Sequence, residues 1–214
     1  MNRFICSILF LALAYTGESE ACSLDWPKFI QNLETYVQVP SEQNANTVVD
    51  ILPTCEPKAD PASDTYIDKV VPLNRDRFSD YSKLNVLAQR GDVGAIKIML
   101  KMTWLFGGSE NAETLAEDLG KITSTHPSEF LTAYAANEGH VRGLIHVLAE
   151  LGPDYVDDLP GQIKELKRRY KALSDAKNAP KGAQTECLQT LHFAIDELES
   201  VQSPASETHG VRRR

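Results

Sequence analysis

From Ser79 to Val201 glycines and prolines cut the chain into helix-length pieces, and this punctuation constrains the fold more than any other feature. Within each piece apolar residues recur three and four apart, which puts them on one face of a helix. The pieces run Ser79–Arg90 before Gly91, Asp92–Phe106 before Gly107 and Gly108, Ser109–Thr123, Pro127 to Gly139, and His140–Leu151 before Gly152 and Pro153. A long segment then starts at Pro160, with Ile163, Leu166, Tyr170 and Leu173 on one face, and Ala183–Val201 follows with Leu188, Leu191, Ile195 and Leu198 inward. Glycine supplies the left-handed residue on which helices end, and proline fits a first turn, where no amide donor is needed. Upstream, Trp26, Phe29, Ile30, Leu33, Tyr36 and Val37 form another stripe, with Ser23 or Asp25 as its cap and Pro40 as its stop. Ser41–Leu52 predicts a short second helix, whereas Thr65–Phe78 leaves a strand open. The expectation is an all-α fold, an irregular helical bundle or short α-solenoid of about eight helices.

An internal echo makes that expectation more specific. Ala88, Gly91, Val93, Ile96, Met99 and Leu100 match Ala136, Gly139, Val141, Leu144, Val147 and Leu148 at a constant offset of 48 positions. Leu115, Leu119 and Ile122 keep the spacing of Leu166, Tyr170 and Leu173 at an offset of 51. A helix-pair pseudo-repeat of about 48 residues lies near the period of helical solenoids. In the second copy, Ala135-Ala136-Asn137-Glu138-Gly139-His140 through Leu148 resembles the second half of an ankyrin repeat, with paired alanines, a Gly-His turn and an aliphatic helix. No T-P-L-H start precedes it and the spacing exceeds the ankyrin period of about 33. The resemblance implies shared helix-pair packing and a helical recognition face, and the family is not assigned.

Met1–Ala21 reads as an export leader: Arg3 is the positive start, Phe4–Tyr15 the apolar run, and Ser19-Glu20-Ala21 a small-x-small cleavage site. The run is too short for a permanent span, and no later stretch reaches spanning length. The expected organisation is a leader at 1–21, N-terminal helices and a proline-rich connection at 22–64, a helical body at 65–202 and a disordered tail at 203–214. The expected location is the periplasm or the exterior. Beyond the leader Cys22, Cys55 and Cys187 remain, an odd set. Cys55 with Cys187 is the expected disulfide, tying the proline-rich segment to the last helix, and Cys22 with Cys55 is its competitor. A lipid anchor at Cys22 is disfavoured by the neighbouring Glu20. The net charge of −8 repels nucleic-acid phosphates and anionic membranes and favours a basic protein partner.

Chemistry-bearing patterns are sparse. His140 and His146 are six apart and point to different faces, and His146 with Glu150 supplies two ligands only, so no metal site is expected. Ser109, Ser124 and Ser128 sit at helix starts as caps. Nucleophile elbows, phosphate cradles and Rossmann glycines do not occur in the sequence, so no cofactor is expected. Asp154, Asp157 and Asp158 make an acidic elbow between helices. The expectation is an exported, non-enzymatic helical protein that binds another macromolecule, in one form an inhibitor or immunity protein against an envelope-targeting hydrolase. Arg90, Asp92, Glu138 and Arg142 are the candidate binding residues; Trp104 could join them but is read as core, because aromatics bring large buried areas. One alternative is a cell-wall or polymer hydrolase: an exported all-helical chain is similar to lytic glycosidases that protonate with one Glu, here Glu129. The other is a structural envelope component.

Overall fold

The computed structural model describes residues 24–53, 78–104, 110–137 and 141–202. Among the described residues the chain is all-helical, with no strand. The helices are α1 (Trp26–Gln38), α2 (Glu42–Val49), α3 (Phe78–Ala88), α4 (Val93–Met102), α5 (Glu110–Thr125), α6 (Pro127–Ala136), α7 (Leu144–Ala149), a 3₁₀ turn (Pro153–Tyr155), α8 (Leu159–Asp175) and α9 (Lys181–Gln202). The leader, the stretch 54–77 with its open strand question, Gly107, Gly108, Gly139, His140 and the tail 203–214 lie outside the described residues.

Local chemistry sets the helix starts. Asp25 accepts from the Lys28 amide at 3.1 Å, Ser41 from the Asn44 amide at 3.2 Å, Asp92 from the Ala95 amide at 2.8 Å, and Asp158 from the Gly161 amide at 3.0 Å. Each satisfies a donor that the first turn leaves free. Two boundaries differ from the sequence reading by four residues. Helix α4 stops at Met102 instead of Phe106, where the Thr103 hydroxyl donates to the Leu100 carbonyl at 2.7 Å. Helix α7 begins at Leu144 instead of His140, because Gly143 just before it takes a left-handed φ of +62° and turns the chain there.

Helix α4 is the hub. Ala95, Ile96, Ile98, Met99 and Leu100 point to successive faces and all are fully buried, so this helix is enclosed by α2, α3 and α6. Helices α8 and α9 form an antiparallel hairpin against α6 and α7, tied at its loop end by the Gln184 amide, which donates to the Leu173 carbonyl at 2.8 Å.

The inward face of α8 corrects the sequence stripe. Ile163, Leu166 and Leu173 are buried, but Tyr170 is 37% exposed and Arg169, at 2%, takes the interior position. On α9, Leu191 and Ile195 are buried while Leu188 and Leu198 are partly so.

The expected Cys55–Cys187 disulfide involves a residue outside the described ones. Cys187 is a free thiol buried in the core, close to Tyr134 of α6, while Cys55 and Cys22 lie outside the described residues. Burial, with the neighbouring Glu186 charge, pushes its thiol up to about 12, so it stays protonated and unreactive at neutral pH. No helix among the described residues is long and apolar enough to cross a membrane.

Candidate functional site

The candidate binding residues separate to the two ends of α4. Arg90 is exposed on the turn after α3. Asp92 is engaged: its Oδ1 accepts from the Ala95 amide and from the Tyr36 hydroxyl, joining α1 to the start of α4. Gly94 permits this closeness, since a Cβ there would lie 2.8 Å from that hydroxyl. Asp92→Ala is therefore expected to destabilise the fold by about 2–3 kcal/mol, removing a cap and stranding a buried hydroxyl; a urea midpoint in the variant equal to that of the parent would contradict this. At the far end the Arg142 amide donates to Thr103 Oγ1 at 3.1 Å, beside a half-buried Trp104. Ten residues of helix, about 15 Å, separate the two groups, so they do not form one patch. Glu138 lies outside the described residues.

Other flagged side chains have structural settings. His126 Nε2 lies 3.0 Å from the Gln89 carbonyl, with its ring against Gly91, where a Cβ would approach Nδ1 to 2.7 Å. His146 is exposed on α7. Glu129 is partly buried in the first turn of α6, where the helix dipole accommodates negative charge.

The acidic elbow between α7 and α8 is held by a set of side-chain hydrogen bonds. Its entry is clamped from below: Arg169 Nη1 donates to the Leu148 carbonyl at 2.7 Å and to the Glu150 carbonyl at 2.8 Å, capping the end of α7. Glu150 Oε1 accepts from the Leu151 and Gly152 amides at 3.1 and 3.0 Å. Gly152 turns with φ +83°, and a Cβ there would come within 2.6 Å of the Glu117 carboxylate. At the exit the Gln162 amide donates to the Tyr155 carbonyl at 2.6 Å, and Asp158 is committed to capping α8. Burial works to raise the Glu165 carboxyl beneath the clamp, but Arg168 and Arg169 together pull it below its ordinary value. Between these anchors Val156 stands 70% exposed, flanked by exposed Asp154 and Asp157. This rigid loop offers an apolar tip between two carboxylates.

Sequence reasoning identified the acids of this elbow but missed Val156 and Arg169. A lone valine in a loop has no periodicity to reveal it, and the one available signal for Arg169 was its place between the apolar positions Leu166 and Leu173. No family model, no curated protein and no solved structure matches the chain.

Proposed function

We propose that this protein acts outside the cytoplasm as a non-enzymatic binding protein, an inhibitor or immunity protein that seats its 153–158 elbow in a basic cleft of another protein. The observation that carries the reading is the anchoring of the elbow around an exposed Val156 and two free carboxylates. A loop held in one conformation before binding loses little entropy on association. An apolar tip supplies affinity in a desolvated pocket, and the rim charges steer and orient the partner. The acidic balance of the chain suits a cationic surface. Export is supported by the leader-like Met1–Ala21, and a mature mass beginning at Cys22 would check it.

The test immobilises the protein and exposes it to extract from the compartment it enters. A stoichiometric protein is expected on the parent and lost from Val156→Asp. Burying a valine contributes about 1.5–3 kcal/mol, so affinity should fall roughly ten- to hundredfold. Replacing Asp154 and Asp157 by lysine should mainly slow association and reduce its salt dependence. Equal retention by the Val156→Asp variant, or no stoichiometric partner, would sink the proposal.

A further inference from the structure

We propose that the segment 203–214 returns along the C-terminal half of α9 and sets Arg212, Arg213 and Arg214 against Asp196 and Glu197, beside the exposed ring of Phe193. Two large apolar side chains stand out on this stretch: Phe193 is 57% exposed and Val201 71%. Positions 193, 197 and 200 share one stripe of the helix, bordered by 196 and 201. The stripe faces away from Leu191, Ala194 and Ile195, which are buried.

The charges here run against the helix dipole. The last turns of a helix carry partial negative charge and favour cations, yet α9 holds Glu186, Asp196, Glu197 and Glu199, and no lysine or arginine follows Lys181 within it. Glu186 lies beside the Tyr134 hydroxyl, and Glu199 pairs with Lys167 of α8 at 2.6 Å. Asp196 Oδ1 has His192 Nδ1 at 3.5 Å, while the exposed Glu197 has no ion-pair partner among the described residues. A cation is wanted at this end of the helix.

The next lysine or arginine along the chain after Lys181 is Arg212, the first of three in a row, and Glu207 is the one acid between 203 and 214. Reach is ample: Phe193 lies about 14 Å of helix before Gln202, while the residues from Gln202 to Arg212 can span up to about 33–36 Å. Pro204 disfavours helical backbone at residue 203, so the sequence favours leaving the helix there. An arginine suits the site, because its planar guanidinium stacks on an aromatic face while its fork engages a carboxylate. A second copy of α9 would bring acid against acid, so charge selects the chain's own basic segment. A connection this short gives an effective concentration in the millimolar range, at which a contact of millimolar affinity is about half occupied. This inference is independent of the elbow, which lies on the α7–α8 connection.

The test compares the amide resonances of the full chain with those of a variant carrying Arg212→Gln, Arg213→Gln and Arg214→Gln. Shifts are expected at residues 193–201, unchanged on dilution and lost at about 1 M salt, where charges are screened beyond about 3 Å. Asp196→Asn with Glu197→Gln alters exposed side chains only, and in that background the same arginine replacements should move these resonances severalfold less. Phe193→Ser should also shrink the response, which separates the ring contact from charge alone. No shift at 193–201, or a response of full size in either background, would overturn the proposal. Shifts that fade on dilution would assign the face to a second copy, and shifts at Asp154–Asp157 in their place would give the arginines to the elbow; either result overturns it.

Discussion

Arg169→Ala is expected to lower the stability of the fold by about 3–5 kcal/mol, because it strands two carbonyls and opens a void in one step. The guanidinium is 2% exposed and bridges the Leu148 and Glu150 carbonyls through Nη1, while Nε lies 3.5 Å from Glu165 Oε1. It lies directly on Gly120 of α5, where a Cβ would fall 2.3 Å from Nη1 and 2.8 Å from Cζ. Three elements thus converge on one side chain: α8 supplies it, α7 ends on it, and α5 makes room for it. Lysine would not restore the clamp in full, since it lacks the Nε donor that faces Glu165 and the planar group that lies on Gly120. Gly120→Ala attacks the same clamp from the opposite wall, so its effect and that of Arg169→Ala should be far from additive. Urea unfolding measures the loss. Hydrogen exchange at Leu151 and Gly152 should accelerate in Arg169→Ala beyond what global destabilisation explains, because the clamp holds the entry to the elbow. If Val156 contacts a partner, the same variant should weaken that partner's binding although no residue of the tip has changed.

Much of this architecture was legible because it is written in short-range chemistry. Asp25 and Pro27 announce α1, Ser41 announces α2, and the pair Gly91–Asp92 ends α3 and starts α4 through a positive φ and a side-chain cap. None of these needs knowledge of a distant residue. The errors arose where a distant residue decides. Positions 163, 166, 170 and 173 fit a helical stripe, yet the chain turns α8 so that Arg169 enters the core, since its acceptors are carbonyls of α7 some twenty residues upstream. Tyr170 is consequently displaced towards solvent. Residue types at 169 and 170 could not reveal this, because burial of an arginine becomes acceptable only once tertiary acceptors exist.

The same reason separates the visible from the hidden parts of the elbow. Its acids could be read directly from Asp154, Asp157 and Asp158, but their roles could not. Asp158 caps α8, leaving Asp154 and Asp157 beside the tip. The hydrogen bonds that hold the loop around Val156 come from Glu150, Gln162 and Arg169, and these are assembled only by folding. Likewise, Asp92 reads as an available acid in sequence, whereas the fold occupies it with Tyr36, 56 positions away. Cysteine arithmetic takes no account of helix orientation, and α9 turns the Cys187 thiol into the core.

Alkaline solution is expected to unfold the protein steeply, and the cause is three tyrosines together with one thiol. Tyr36 and Tyr134 are almost wholly buried and Tyr81 is partly so. Burial first, and then the carboxylate beside each hydroxyl (Asp92 for Tyr36, Glu186 for Tyr134, Asp118 for Tyr81), raises all three phenols above their ordinary value. Folded pKa values above the unfolded ones mean that this stabilisation is complete below the unfolded pKa, about 10 for tyrosine, and is lost as pH rises beyond it. Above that point the unfolded chain has released protons that the native state retains. Three such protons give a fall of about 4 kcal/mol per pH unit. Cys187, held up to about 12, adds a further proton to the difference from roughly pH 9 onward. A domain of ordinary stability, about 5–15 kcal/mol, would be exhausted within a few pH units of that onset. Phenolate absorbance from the three buried rings should therefore appear together with the loss of helical circular dichroism, not before it. Tyr36→Phe and Tyr134→Phe should each make the alkaline slope shallower by about 1.4 kcal/mol per pH unit. If phenolate forms in a chain that keeps its helices, or if the slope is unchanged in both variants, these hydroxyls are not held protonated by the fold.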